Sequence, residues 1–157
     1  MTDELTHMDS AGNVRMVDVG EKAPTARKAV AEATVLMAQS TRQRLFADDL
    51  PKGDAVATVR IAAIQGAKQT SSLVPLCHPL PIESVSVSIE PTEDGAVITV
   101  TATVTAKTGV EMEAMTGAAV GAVALYDMIK GVDRGSQIGT VRLLEKSGGR
   151  SGEWRRE

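Results

Sequence analysis

After Lys107, four charged residues interrupt the otherwise apolar stretch of residues 107–132. They are Glu111, Glu113, Asp127 and Lys130. Ala, Gly, Val and Met make up most of the remainder, which predicts a helix over residues 109–130 that is apolar enough to be buried. Burying a charged group is costly unless it is paired. These side chains therefore either reach water at the helix ends or line a functional pocket.

The spacing within this helix separates the charges into two groups. Glu113 and Asp127 are fourteen positions apart, so on a regular helix they point within about 40° of each other but lie about 21 Å apart along the axis. One chain cannot bring both to one small site. They could share a site only if a second copy of the helix ran past in the opposite direction. Asp127 and Lys130 can interact directly, although a surface ion pair at a helix C-terminus is the alternative.

Lys52 is a second candidate for proton transfer. It precedes Asp54, which we predict to be the N-cap of another helix. The positive end of a helix, together with nearby cations, favours the neutral form of a lysine, which would then exchange protons near neutral pH. Helix N-termini also bind phosphate. An ordinary loop lysine is the alternative.

The segment LCHPLP, residues 76–81, places Cys77 and His78 in a chain that its prolines keep extended. Neighbouring side chains of an extended chain point to opposite faces, which argues against a catalytic Cys–His pair. One cysteine and two histidines do not provide zinc ligands at a known spacing, so we expect no metal site. His78 could instead contact a ligand.

Further cations would suit an anionic small molecule such as a nucleotide if the fold gathers them, which spacing alone does not show. They are Lys22, Arg27, Lys68, Arg142, Lys146 and Arg150.

Composition narrows the class of protein. The chain has 157 residues, which fits one domain over 1–157. Its net charge of −3 and lack of a basic stripe argue against nucleic-acid binding. Aromatic residues make up 2 %, so the core must be aliphatic; its small side chains bury little area each, which favours oligomerisation. A single cysteine, no signal peptide and no apolar run of about 20 residues predict a cytoplasmic protein without membrane contact.

The remaining patterns predict the elements that position these residues. We expect a mobile arm over 1–13, a strand over 14–19, a helix over 24–43, a second helix over 54–72 and a flexible tail over 147–157.

Alternating residues over 84–90 and 96–105 predict a hairpin, and residues 137–144 a last strand. Helices that alternate with an antiparallel hairpin indicate an α+β fold with helices on one face of an antiparallel sheet of about four strands. A ferredoxin-like plait is the first choice.

Seven motifs, in order along nearly the whole chain, resemble the cyclic pyranopterin monophosphate synthase family of molybdenum cofactor biosynthesis. They are LTHMD (5–9), MVDVGEK (16–22), KGDAVATVRIAAIQGAKQT (52–70), LVPLCHPLP (73–81), KTGVEMEAMT (107–116), LYDMIK (125–130) and VRLLEKSGG (141–149).

The resemblance implies a lyase that converts a cyclised dihydro-GTP, made by a preceding radical enzyme, into cyclic pyranopterin monophosphate and pyrophosphate. It also implies a ferredoxin-like subunit in a hexamer, a trimer of dimers, with the site at a dimer interface. We expect no cofactor beyond a divalent cation that accompanies the triphosphate. A non-catalytic, plait-type regulatory module that binds nucleotides is the alternative.

The family's site residues transfer to this sequence position by position. The catalytic positions fall on Lys52, Asp127 and Lys130. The substrate-binding positions fall on Leu76, Cys77, His78, Glu111, Met112, Glu113, Lys22, Arg27, Lys68 and Lys146.

Overall fold

The computed structural model describes Met8 and residues 11–157. The expected mobile arm, residues 1–13, lies largely outside the described residues. Within them, Met8 forms an isolated antiparallel bridge with Val14.

The strand predicted over residues 14–19 is wrong, because the structure contains no strand there beyond the bridge at Val14. The alternation has another cause. Val17 and Val19 are half-buried against a cleft described below, whereas Met16 and Asp18 between them are exposed.

Over the part of the chain that the structure describes, the sheet has five antiparallel strands in the order β2-β3-β1-β4-β5. The predicted hairpin is present as β2 and β3, and the predicted last strand as β4. The strands are β1 (Thr25–Leu36), β2 (Ser84–Pro91), β3 (Gly95–Ala106), β4 (Gln137–Ser147) and β5 (Trp154–Arg155).

Among the described residues, four helices accompany the sheet: α1 (Gln39–Phe46), α2 (Ala55–Lys68), α3 (Thr70–Leu73) and α4 (Glu111–Ile129). The long helix α4 packs on β1, β3 and β4, and α2 packs on α4 and β2. This arrangement confirms the α+β, ferredoxin-like plait, with five strands instead of about four. The single helix predicted over 54–72 is divided between α2 and α3 at Gln69.

The helix predicted over residues 24–43 is wrong, since most of this segment is the central strand β1, followed by α1. Its residues at every second position, Ala29, Ala31 and Ala33, are fully buried under the helices. Pairing on both sides, with β3 and β4, outweighs the helix propensity of alanine.

The C-terminal residues are partly attached to the sheet. Trp154 pairs with Lys146 of β4, and Arg156 lies over the Trp154 ring at 5.5 Å. The segment over 147–157, expected as a flexible tail, therefore contributes the fifth strand.

The helix α4 is long and apolar enough to cross a membrane by length and composition. In the fold it lies against the sheet and α2, with Ala114, Ala118, Ala122 and Leu125 fully buried. We therefore interpret it as a core helix of the fold. The buried apolar side chains of the described residues are aliphatic, as expected.

Glycines allow α2 and α4 to pack closely and antiparallel. A Cβ on Gly117 would lie 2.9 Å from the carbonyl oxygen of Ala63 and 3.3 Å from the Cβ of Ala67. A Cβ on Gly66 would lie 2.7 Å from the Cβ of Val120. This contact fixes the N-terminal end of α2 beside the C-terminal end of α4.

Gly117→Ala is expected to destabilise the fold by about 1–3 kcal/mol, because backbone and packed side chains must move apart to admit the methyl group. Chemical denaturation measures the free energy of unfolding. Gly131→Ala is the control, since a Cβ there meets no atom within 4 Å. Equal stability of the Gly117→Ala variant and the wild type would contradict the close packing of the two helices.

Candidate active site

Lys52, Asp127 and Lys130 form one ion-pair cluster, called here the acid/base cluster. One carboxylate oxygen of Asp127, Oδ1, lies 2.7 Å from Lys130 Nζ, and the other, Oδ2, lies 2.7 Å from Lys52 Nζ. Lys52 also donates to the backbone carbonyl of Asp127 at 2.8 Å. The structure thus brings together the three residues that the sequence assigned to catalysis.

Local structure explains how Lys52 reaches α4. Gly53 adopts a φ of 87°, which favours glycine, and its N–H donates to Leu50 O at 3.0 Å. The next residue, Asp54, is the predicted N-cap: its carboxylate accepts from the backbone N–H of Ala57 at 2.8 Å. Turn and cap together place Lys52 at the corner where α2 begins, over the end of α4.

The charges of the cluster reinforce one another. Hydrogen bonds from Lys130 and Lys52 lower the pKa of Asp127 to about 2. Asp127 in turn raises the pKa of Lys130. At neutral pH the carboxylate is therefore ionised and Lys130 is a proton donor. From the sequence, we expected cations next to Lys52. In the structure its nearest charged partner is the Asp127 carboxylate.

Asp133 secures the chain that follows the cluster, a role that sequence reasoning missed. Its carboxylate accepts from the backbone N–H of Ala38 at 2.9 Å and from Thr41 Oγ1 at 3.2 Å, which caps the start of α1. The hydrogen bond from Ala38 is the largest influence that lowers the pKa of Asp133. Nothing local in the sequence signals this contact, because Ala38 is 95 positions away.

A cleft of about 320 Å³ lies at the opposite end of α4. It gathers most of the predicted substrate-binding residues, including the LCH segment and the first turn of α4. Its lining is Val17, Val19, Lys22, Leu76, Cys77, His78, Leu80, Thr108, Gly109, Glu111, Met112 and Glu113.

Glu113 is the buried acid of this cleft, with 3 % of its surface exposed. Burial raises its pKa, its own backbone N–H partly offsets this, and the charge of Glu111 raises it further. Burial, followed by the charge of Glu113, also raises the pKa of the Cys77 thiol. Because burial deprives this carboxyl group of water, its ionised form gains more from a hydrogen bond donated by a ligand than an exposed carboxylate does. A new charge nearby would also change its pKa.

Glu111 is held by two neighbours. Its carboxylate forms an ion pair with Lys146 Nζ at 3.0 Å, and the same ammonium donates to Ser151 Oγ at 3.0 Å. The carboxylate also lies directly on Gly109, where a Cβ would overlap it. The glycine is thus required for the position of Glu111 in the cleft.

Gly109→Ala is expected to displace the Glu111 carboxylate and break its contact with Lys146, while stability changes by less than about 0.5 kcal/mol, because the overlapping group is the end of a flexible side chain. KM should rise and the melting temperature should stay close to that of the wild type. Steady-state kinetics and thermal unfolding check the two halves. A large loss of stability, or unchanged kinetics, would show that Glu111 is not positioned in this way.

A basic cavity of about 440 Å³ adjoins the cleft. Lys22, Thr108 and Gly109 line both spaces, which makes them the junction. No carboxylate is among the described residues that line the basic cavity. Its lining is Lys22, Ala23, Thr25, Arg27, Lys107, Thr108, Gly109, Gly149, Arg150 and Ser151.

Arg27 is fixed at the wall of the basic cavity. Its Nε donates to Ala106 O at 3.0 Å and its Nη2 donates to Lys107 O at 3.3 Å. The guanidinium also packs on Gly149, where a Cβ would overlap it. These contacts hold a positive group toward the cavity without neutralising it, as an anion site requires.

Three of the predicted cations line neither space. Lys146 reaches the edge of the cleft through its ion pair with Glu111, and the other two lie elsewhere. Lys68 is exposed at the C-terminal end of α2 and lines neither space. Arg142 pairs with Glu32 at 2.7 Å on the sheet. Among the described residues, no group of three or more His, Cys, Asp or Glu side chains is placed to hold a metal ion.

The comparisons with known proteins agree with one another. The MoaC family model matches residues 16–149. A cyclic pyranopterin monophosphate synthase of Chloroflexus aggregans is 48 % identical over 157 residues, which cover 99 % of this chain and 95 % of the relative. The synthase of Roseiflexus castenholzii is 52 % identical over 152 residues, with 96 % of each chain covered. That of Streptomyces coelicolor is 49 % identical over 154 residues, with 98 % and 91 % covered. The chain belongs to the MoaC family.

Proposed function

We propose that this enzyme converts the cyclised dihydro-GTP into cyclic pyranopterin monophosphate and pyrophosphate, as a lyase of cytoplasmic molybdenum cofactor biosynthesis. The observation that carries the proposal is the combination of an acid/base cluster with an acidic cleft that opens into a basic cavity, in a member of the MoaC family. A non-catalytic regulatory module could bind a nucleotide with the cleft and cavity. Binding alone, however, does not require a carboxylate held between two ammonium groups.

The charges of the two spaces suit the two ends of this substrate. The N–H groups of the guanine-derived ring can donate to the carboxyl groups of Glu113 and Glu111, with His78 beside them. The triphosphate suits the basic cavity, where Arg27 presents a guanidinium that can bind phosphate through two hydrogen bonds. Lys22, at the junction, would contact the part of the substrate that connects the two ends.

The acid/base cluster suits the chemistry. Opening and closing the rings requires proton transfers, and forming the cyclic phosphate requires a hydroxyl oxygen to attack the α-phosphorus as pyrophosphate leaves. Lys130 is charged in the free protein and can donate a proton or stabilise a developing negative charge, while Asp127 keeps it in place. Lys52 provides a second ammonium on the other carboxylate oxygen.

The cluster and the cleft lie at opposite ends of α4, so we propose that each active site is completed by a second subunit. Two copies of α4 packed antiparallel would bring the cluster of one chain to the cleft of the other. The outer side of α4 is suited to such packing, since Met112 and Val123 are 40 % and 58 % exposed. A trimer of such dimers would give the hexamer.

No oxidation or reduction is needed for the rearrangement, and we propose that the enzyme uses no redox cofactor. A divalent cation would enter with the triphosphate, bound mainly by phosphate oxygens. It would neutralise charge on the leaving pyrophosphate together with the basic cavity.

The test is to supply the purified protein with the cyclised dihydro-GTP and to follow pyrophosphate and the pterin product. Formation of both at equal rates is expected. Absence of turnover by the wild type would overturn the proposal, and tight binding without turnover would favour the regulatory module.

A further inference from the structure

One segment that lines the cleft belongs to no helix or strand. This segment, residues 17–22, is called here the strap. Val17 and Val19 line the cleft, and Lys22 lines both the cleft and the basic cavity. The position of the strap therefore decides where the Lys22 ammonium stands relative to a ligand.

The strap contains a tight turn with two local hydrogen bonds. The backbone N–H of Gly20 donates to Asp18 Oδ1 at 2.8 Å, and that of Lys22 donates to Val19 O at 3.1 Å. These bonds give the turn its shape. They do not attach it to the rest of the protein, because every partner lies within the strap.

The attachment comes from Lys107, the first residue after β3. Its Nζ donates to the carbonyl oxygen of Gly20 at 2.6 Å, across 87 positions of sequence. Among the described residues, this is the hydrogen bond that joins the strap to another part of the fold. None of the ion pairs among the described residues involves Lys107.

We propose that Lys107 is a positioning residue, which holds the strap over the cleft and thereby places Lys22 at the junction with the basic cavity. The ammonium of Lys107 already has the Gly20 carbonyl oxygen as a partner, so we infer that its effect on substrate passes through the strap. The kinetic part of this inference rests on the proposed function, whereas the structural part does not.

Lys107→Met removes the donor but keeps most of the side chain's length and apolar contacts. A hydrogen bond from a charged group is strong enough that its loss should shift the equilibrium between the attached and detached strap by about tenfold or more. We expect KM to rise about tenfold while kcat changes by less than about threefold, because the acid/base cluster is not touched. Lys107→Arg keeps a charged donor and should restore most of the affinity.

Amide hydrogen exchange of the ligand-free protein separates a positioning role from direct binding. In Lys107→Met the N–H groups of Gly20 and Lys22 should exchange about tenfold faster, because a turn that is no longer anchored at Gly20 O opens its two local hydrogen bonds more often. Lys28→Met is the matched control: it removes one positive charge, from an ion pair with Glu145 at 2.6 Å on the sheet, and should leave both readouts unchanged.

The exchange rates and KM together decide whether Lys107 is a positioning residue. Unchanged exchange in Lys107→Met overturns this inference, and if KM still rises, Lys107 is instead a direct ligand of the substrate. Faster exchange with an unchanged KM also overturns it, since the strap would then not matter for binding. If the wild type shows no turnover, the proposed function fails, and the exchange measurement still tests whether Lys107 holds the strap.

Discussion

Asp127→Asn is expected to lower kcat at least about a hundredfold, because general acid–base catalysis by a placed side chain contributes about 10²–10⁴ to a rate. The amide has no charge to hold two ammonium groups that each lie 2.7 Å from a carboxylate oxygen. Lys52→Ala should have an effect of similar size. Rates of pyrophosphate release under saturating substrate measure both.

The matched control is Asp49→Asn, which removes a carboxylate from an exposed ion pair with Arg44 at 3.3 Å. Its kcat should stay within about twofold of the wild type, because exposed ion pairs contribute little. Full activity in Asp127→Asn or in Lys52→Ala would rule out the acid/base cluster as the catalytic group.

The pH profile follows from the same contacts. The pKa of Asp127 is lowered, so its ion pairs are fully present above the ordinary value of 3.8 and are lost only as the pH falls toward about 2. Above pH ~4, protonation of Asp127 should therefore not appear in the kcat profile. In Asp127→Asn, Lys130 loses the carboxylate that raises its pKa, so any alkaline limb should move to lower pH.

Mixing two inactive variants should restore activity if two subunits share each site. Lys52→Ala damages the acid/base cluster and Glu113→Gln damages the cleft. After random exchange of subunits, half of the dimers are mixed, and one of the two sites in each mixed dimer is intact. About a quarter of all sites should then be wild type, which is a large gain over either parent.

The control mixture combines Lys52→Ala with Asp127→Asn, two changes in the same half of the site. A mixed dimer of this pair contains no intact site, so activity should not return. Native mass spectrometry of differently tagged chains shows whether subunits exchange. No recovery in the first mixture despite exchange would argue against a shared site.

Sequence patterns correctly predicted the helix and strands in which apolar residues recur with a clear helical or alternating spacing. The helix expected over 109–130 is α4, and the hairpin expected over 84–90 and 96–105 is β2 with β3. The strand β1 was missed because its alanines suit a helix as well as a buried strand, and only its two neighbours in the sheet decide between them. Those neighbours come much later in the chain.

In the candidate site, too, local features were predictable from the sequence and contacts between distant residues were not. The charges of α4 were visible because they are out of place in an apolar helix, and the two groups do lie at its opposite ends. The gathering of cations around the basic cavity was not predictable, and Lys68 is not part of it. Contacts such as Lys107 with Gly20 join residues 87 positions apart, which no local pattern can reveal.

The close contact between α2 and α4 has a consequence for how this chain can change in evolution. If both ends of α4 serve active sites, the helix is a rigid spacer whose length sets the distance between two catalytic centres. One inserted residue within it would turn one end by about 100° and shift it by about 1.5 Å relative to the other. Substitutions can be compensated singly, but a change of length would misalign every centre of the assembly at once. We therefore expect insertions and deletions among functional relatives to fall in the loops and never between Glu113 and Asp127.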